Sequence, residues 1–185
     1  MAITLVEKRI DGQQVYSGKI LNLEVDRVRL PNGHVTVREV VRHPGAAVVV
    51  PVLPDGRVVL VRQYRYPAGR VLLELPAGKL DAGEDPARCA QRELGEEIGM
   101  SPGRLTPLGR FFTTPGFSDE VLYMFLAEDL TALEGASPDD DEFLEVSIVA
   151  RDELMEMARG GRIDDAKTLA GLFLWSLVAT QARDR

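Results

Sequence analysis

A single cysteine, Cys89, is all that the 185-residue chain contains, so no internal disulfide can staple it. The amino terminus, Met1-Ala2-Ile3-Thr4-Leu5-Val6-Glu7-Lys8, lacks the pattern of a secretory signal. Together these place the expected home in a reducing cytoplasm. Positive charge is also in short supply. The chain has 29 acidic residues against 22 Lys and Arg, a balance of 22 − 29 = −7. A general nucleic-acid binder needs a positive field, and this balance disfavours that partner class. The longest apolar stretch, Leu169 to Ala179, falls short of the ~20 residues that span a bilayer, which excludes a membrane partner. Aromatics are few, at 6%, and there is no internal repeat or low-complexity segment. With 45% hydrophobic and 28% charged residues, the chain reads as one globular domain with a small extension.

The first forty-odd residues read as strands and turns. Leu21, Leu23 and Val25 alternate with polar residues, and the phase then moves to Val28 and Leu30, which predicts a bulge or bend. Pro31-Asn32-Gly33 is a turn, and Val35 to Val41 is the returning strand. Such a ribbon has too little core to stand alone, so it must lie on the rest of the domain or on a second copy. Ala46 to Leu53 is a continuous apolar run, as for a strand buried on both faces. Pro54-Asp55-Gly56 turns the chain and Val58 to Val61 returns it. Further strands are expected at Val71–Leu75, Leu108–Thr113, Val121–Leu126 and Leu144–Val149. Helices are expected from Asp85-Pro86 to Gly99, over Arg151–Arg159, and over Asp165–Arg183. The last buries Leu169, Leu172, Phe173 and Leu177, with Trp175 also in the core. Strands mixed with helices predict a layered α/β domain.

The informative segment is Gly78 to Met100. Ala87, Ala90, Leu94 and Ile98 repeat at helical spacing and face the core. Glu93, Glu96 and Glu97 sit at i, i+3 and i+4, so they share one face. Like charges at that spacing cost a few tenths of a kcal/mol per pair, and Gly95 costs a further ~1 kcal/mol against Ala. Two readings are open. One is a solvated acidic face, softened by Arg88 and Arg92. The other is a site for hard cations, since Mg²⁺ takes oxygen ligands and bridges carboxylates to substrate phosphates.

The same segment resembles the Nudix box, G-x5-E-x7-R-E-U-x-E-E-x-G-U, where U is a bulky apolar residue. Gly78, Glu84, Arg92, Glu93, Glu96, Glu97 and Gly99 fill the fixed positions, and Leu94 and Met100 the apolar ones. At ordinary usage of ~6–7% per residue type, such a match arises by chance on the order of once in a million. The resemblance implies a Nudix-type α/β/α sandwich of mixed sheet between helices. It also implies hydrolysis of a nucleoside diphosphate linked to another moiety, with Mg²⁺ or Mn²⁺ as cofactor. Glu93 and Glu97 would be principal metal ligands, Glu96 a further ligand with a catalytic share, and Ala77 a backbone-carbonyl ligand. Glu84 and Arg92 would hold the loop-helix-loop in shape.

Four other stretches are similar to the ADP-ribose pyrophosphatase branch of that family. They are Arg62-Gln63-Tyr64-Arg65-Tyr66-Pro67, Leu75-Pro76-Ala77-Gly78, Thr113 to Glu120 with Pro115, and Ile163 to Thr168. The resemblance divides the chain into an N-terminal β extension, 1–43, exchanged between the subunits of a homodimer, and a hydrolase domain, 44–185. It implies cleavage of ADP-ribose to AMP and ribose 5-phosphate. Arg38, Arg65 and Gly78 would contact substrate, Ile20 would stack near the adenine, and Glu120 would reach a ligand bound in the partner subunit. The base would come from the acidic loop Asp139-Asp140-Asp141-Glu142, with Glu142 first and Asp140 second. Phe143 and Leu144 would anchor that loop. Cys89, His34 and His43 form no nucleophilic pair in the sequence. Alternatives are another dinucleotide or sugar-nucleotide (GDP-sugar, NADH or FAD), a non-hydrolytic ADP-ribose sensor, and a nucleic-acid end-processing pyrophosphatase.

Overall fold

Alternating residues on either side of tight turns zip into antiparallel strands, and the amino-terminal segment does so twice. In the computed structural model, which describes residues 4–133 and 143–183, β1 (Lys8–Ser17), β2 (Asn22–Arg29) and β3 (Val35–Arg42) form one antiparallel sheet in that order. With Phe112–Val121 this segment is a compact unit of its own, and Ala46–Phe111 with Leu122–Arg185 is a second. In the first unit, Val41 N donates to Phe117 O at 2.7 Å. Ion pairs of Arg9 with Asp26 at 2.9 Å and Arg42 with Asp119 at 3.1 Å tie it further.

The bulge expected from the phase change in the second strand is not there. Pairing of β2 with β3 is unbroken from Asn22↔Arg42 to Arg29↔Val35. The irregularities fall in β1 instead, beside Arg9 and beside Gln14. β2 half-buries Leu23 and Val25 on one face and buries Asp26 and Val28 on the other. Partial cover on both faces of a strand in unbroken register with β3 therefore mimics a shift in phase.

Along the rest of the chain follow β4 (Ala46–Pro51), β5 (Val58–Arg65), a 3-10 turn at Tyr66–Ala68, β6 (Arg70–Glu74), β7 (Ala77–Lys79) and α1 (Pro86–Ile98). Then come β8 (Met100–Phe112), β9 (Val121–Ala132), β10 (Leu144–Val149), α2 (Arg151–Arg159) and α3 (Ala166–Arg183). One sheet runs β7-β4-β9-β8, with β4 parallel to β9 and antiparallel to β7, so it is mixed. A second runs β10-β5-β6. Val52, just past β4, bridges Val58 at the start of β5, and the two strands belong to different sheets.

β4 is buried at every position and separates two cores. Ala46, Val48 and Val50 pack with Leu154 of α2 and with Leu172 and Trp175 of α3. Ala47 and Val49 pack with Ala90, Leu94 and Ile98 of α1. Helices therefore cover both faces, in the α/β/α arrangement expected. Among the described residues no helix is long and apolar enough to cross a membrane.

α3 corrects the sequence reading. Leu172 and Trp175 are buried, but Phe173 is 62% exposed, and Leu169 and Leu177 are exposed as well. The inward stripe is Thr168, Gly171, Leu172 and Trp175. A Cβ on Gly171 would lie 2.5 Å from Leu75 Cδ1 and 2.7 Å from Met124 Cε. Those neighbours are side-chain tips, so an added methyl is absorbed but a branched side chain is not. Gly171→Val is expected to destabilise the protein by roughly 1–3 kcal/mol through overpacking, measured as a fall in the urea midpoint.

Candidate active site

α1 is bounded by strong local signals. Asp85 accepts from Ala87 N at 2.9 Å and Arg88 N at 3.3 Å, Pro86 occupies the first turn, and Gly99 closes the helix at φ 65°. Its buried face holds Cys89, Ala90, Leu94 and Ile98, with Ala87 only partly covered. The same face buries Glu93 and Glu97, at 6% and 4% exposure. A solvated acidic face is thereby overturned. Arg88 is exposed and takes no part, whereas Arg92 does.

Arg92 organises the acidic residues. Its Nε and Nη2 fork onto Glu84 at 3.1 and 3.0 Å, and its Nη1 donates to Glu93 at 2.7 Å and Glu96 at 2.8 Å. Nη2 also donates to Lys79 O at 3.1 Å, which ties β7 to the helix. Ala77 N donates to Glu97 Oε2 at 2.9 Å. Glu93 lies against the backbone of β7. A Cβ on Gly78 would fall 1.7 Å from Glu93 Oε1, so only glycine leaves room for that carboxylate. Ala77, Gly78, Glu84, Arg92, Glu93, Glu96 and Glu97, all picked out in the sequence, are thus brought together.

The donors here are all oxygen, the hard set that Mg²⁺ and Mn²⁺ take. Glu93 and Glu96 turn onto Arg92, and Glu97 onto the Ala77 amide. Among the described residues no three His, Cys, Asp or Glu side chains are gathered at ligating distance. Burial pushes the Cys89 thiol up to about 12, so it supplies no thiolate nucleophile.

Arg92, with help from the Asp81 amide, holds the Glu84 carboxyl down to about 2 from its ordinary 4.5. A depressed folded-state value stabilises the native state above pH 4.5 and loses that contribution as pH falls toward 2. Thermal melts from pH 5 to pH 2 are therefore expected to show a steeper decline for wild type than for Glu84→Gln.

Arg65, at the end of β5, forks onto Glu74 through Nε at 2.9 Å and Nη2 at 2.8 Å. Glu74 is 1% exposed. Its other partner is Lys167, whose Nζ also reaches Asp165 at 3.0 Å. Asp165 caps α3 by accepting from Thr168 N at 3.0 Å, and Leu75 N donates to Thr168 Oγ1 at 2.9 Å. Burial works against the charged form of Glu74, but Arg65 and Lys167 outweigh it and hold the carboxyl below its usual range. Glu74 raises the Arg65 guanidinium, and the charges of Glu97 and Asp165 add to that, which puts Arg65 within electrostatic reach of the acidic helix. The sequence reading gave Glu74 no role. Its signal was a lone charge at the end of the apolar run Val71-Leu72-Leu73.

Ile20, Arg38 and Glu120 belong to the first unit. Ile20 is 56% exposed. Arg38 pairs with Glu7 at 2.7 Å. Glu120 accepts from Thr113 Oγ1 at 2.6 Å and lies 3.5 Å from His43 Nδ1. Glu142 and Asp140 lie outside the described residues. Phe143 is 88% exposed, and Leu144 packs against the α1 core.

A nucleoside diphosphate sugar hydrolase N-terminal domain matches residues 7–41. The chain is 44% identical over 166 residues to the ADP-ribose pyrophosphatase of Bacillus subtilis (strain 168), covering 89% of this chain and 90% of that one. It is 42% identical over 164 residues to the methanol dehydrogenase activator of Bacillus methanolicus, covering 88% and 89%. In fold it resembles the crystal structure of an ADP compounds hydrolase, with a TM-score of 0.85 and 23% identity over 95% of each chain. The NUDIX domain family matches residues 41–172, which include every member of the acidic cluster around Arg92. The chain therefore belongs to the NUDIX domain family.

Proposed function

We propose that the protein is a metal-dependent pyrophosphohydrolase that splits ADP-ribose and water into AMP and ribose 5-phosphate. The observation that carries this reading is the burial of Glu93 and Glu97 on one face of α1 against the β7 backbone, where Glu97 accepts from Ala77 N and only Gly78 leaves room for Glu93. Similarity to the ADP-ribose pyrophosphatase of Bacillus subtilis supports the choice of substrate.

Glu93, Glu96, Glu97 and the Ala77 carbonyl would hold Mg²⁺, with Mn²⁺ as the alternative. Divalent cations bound there lower the pKa of a water and neutralise charge on the diphosphate. Glu93 and Glu96 would hold the cation in place of their Arg92 Nη1 contact, while Glu84 would keep Arg92 in place. Arg65 forks onto diphosphate oxygens, since a guanidinium matches phosphate geometry. Arg38 reaches the diphosphate or terminal ribose, Ile20 stacks near the adenine, and Gly78 adds a close backbone approach. Glu142 takes a proton from the attacking water or orients it, with Asp140 second in line. Glu142→Gln is expected to lower kcat with little change in KM; the same result from Asp140→Asn alone moves the base two residues.

The proposal divides the chain at 43/44 and includes a cytoplasmic homodimer that exchanges the N-terminal ribbon, with Glu120 reaching the partner's ligand. β1 supports this, because all ten of its residues are exposed. Phosphate-coupled product detection from ADP-ribose, with and without Mg²⁺, beside NADH, FAD and GDP-sugars, tests the reading. Absence of metal-dependent AMP formation overturns it. The Bacillus methanolicus relative favours a second reading, in which the same site serves to activate a dehydrogenase. Stimulation of methanol dehydrogenase without AMP formation would select it.

A further inference from the structure

We infer that Glu74 is the positioning residue for Arg65, fixing its guanidinium so that the unused end of the fork faces a nucleoside diphosphate, with Lys167 and Asp165 holding Glu74 in turn. The inference rests on the proposed phosphoanhydride site.

A carboxylate taken out of water is unfavourable unless cations meet it. Glu74 is 1% exposed, and two cations meet it. They differ in exposure: Lys167 is 14% exposed, whereas Arg65 is 41% exposed. Glu74 is thus the buried root, and Arg65 the group that emerges from it.

Among the described residues the fork is used on one side. A guanidinium has five N–H donors. Glu74 takes Nε and one hydrogen of Nη2. The end-on pair on Nη1 and Nη2 points the other way, and this is the pair that binds phosphate in a bidentate manner. A guanidinium free to rotate spreads those donors over many rotamers; one clamped through Nε does not.

The clamp is itself fixed at both ends. Asp165 accepts from Thr168 N and Thr168 Oγ1 at the start of α3, and holds Lys167 Nζ. Thr168 Oγ1 accepts from Leu75 N, the residue after Glu74. Two positions farther on, Ala77 N donates to Glu97. The first turn of α3 therefore sets both the Arg65 fork and the strand that lines the acidic helix.

The test measures ADP binding by calorimetry together with ADP-ribose kinetics, in wild type, Glu74→Gln, Arg65→Ala and the double variant. Glu74→Gln is expected to weaken ADP binding and raise KM by about tenfold, the loss of one charge-assisted hydrogen bond, with kcat within about threefold of wild type. The double variant is expected to match Arg65→Ala alone, because Glu74 acts through Arg65. Unchanged ADP affinity in Glu74→Gln, or effects that multiply in the double variant, overturns the inference. If Glu74→Gln does not fold, Lys167→Gln takes its place, with an expected weakening of about threefold; unchanged affinity there also overturns it. A wild type that fails to hydrolyse ADP-ribose yet binds ADP through the clamp defeats the functional reading only. A hydrolysing wild type with an indifferent Glu74 defeats the clamp only.

Discussion

Glu97→Gln is expected to lower kcat for ADP-ribose by roughly a thousandfold or more, the scale of losing a cation worth several kcal/mol of charge stabilisation. The fold is expected to persist. Glutamine has the shape of glutamate and keeps a carbonyl oxygen to accept from Ala77 N, the 2.9 Å contact that joins the helix to β7. What it lacks is charge. Glu97 is 4% exposed and shares its helix face with Glu93 and Glu96, whose like charges repel its own. Removing that charge relieves strain within the apoprotein, and the melting temperature is expected to hold or rise slightly. Magnesium titration by calorimetry is expected to show the affinity falling with kcat. Near-normal turnover, or turnover lost together with the melting transition, takes the acidic helix out of the mechanism.

The sequence disclosed this helix because its signals are local. Asp85-Pro86 and Gly99 set its ends through contacts within one turn, and the spacing of Glu93, Glu96 and Glu97 determines their common face. Burial of that face is not local. It depends on β7, whose Gly78 backbone stands where a side chain would collide with Glu93. The pairing of Glu74 with Lys167 spans 93 positions and joins the second sheet to the start of α3, which no periodicity reports. The failure at α3 has another cause. From Leu169 to Val178 the helix is apolar on most sides, so hydrophobic spacing does not tell the inward stripe of Leu172 and Trp175 from the exposed Phe173. β4 posed no such difficulty, because a strand buried on both faces has no sidedness to misread.

Gly78→Ala is expected to separate stability from activity. Gly78 lies in β7 and is not among the residues with positive φ, so alanine meets no backbone strain there. Its Cβ would nevertheless stand 1.7 Å from Oε1, 1.9 Å from Cδ and 2.3 Å from Oε2 of Glu93. Those atoms end a flexible side chain, so the carboxylate yields and the strand does not. Glu93 then leaves both the β7 backbone and the 2.7 Å contact with Arg92 Nη1. Misplacing a reacting-site group by about 1 Å costs on the order of a hundredfold in rate, and kcat for ADP-ribose is expected to fall by at least that much. The melting temperature is expected to change by only a few degrees, as for one rearranged side chain. Adding Glu93→Gln to Gly78→Ala is expected to lose little more, because both changes remove the same carboxylate from the same place. Wild-type turnover in Gly78→Ala means that Glu93 acts elsewhere or not at all. A further hundredfold loss in the double variant means that the displaced carboxylate still reaches the site. Only a glycine that exists to admit Glu93 gives the expected pattern of a stable fold, a slow enzyme and a double variant no worse than the single.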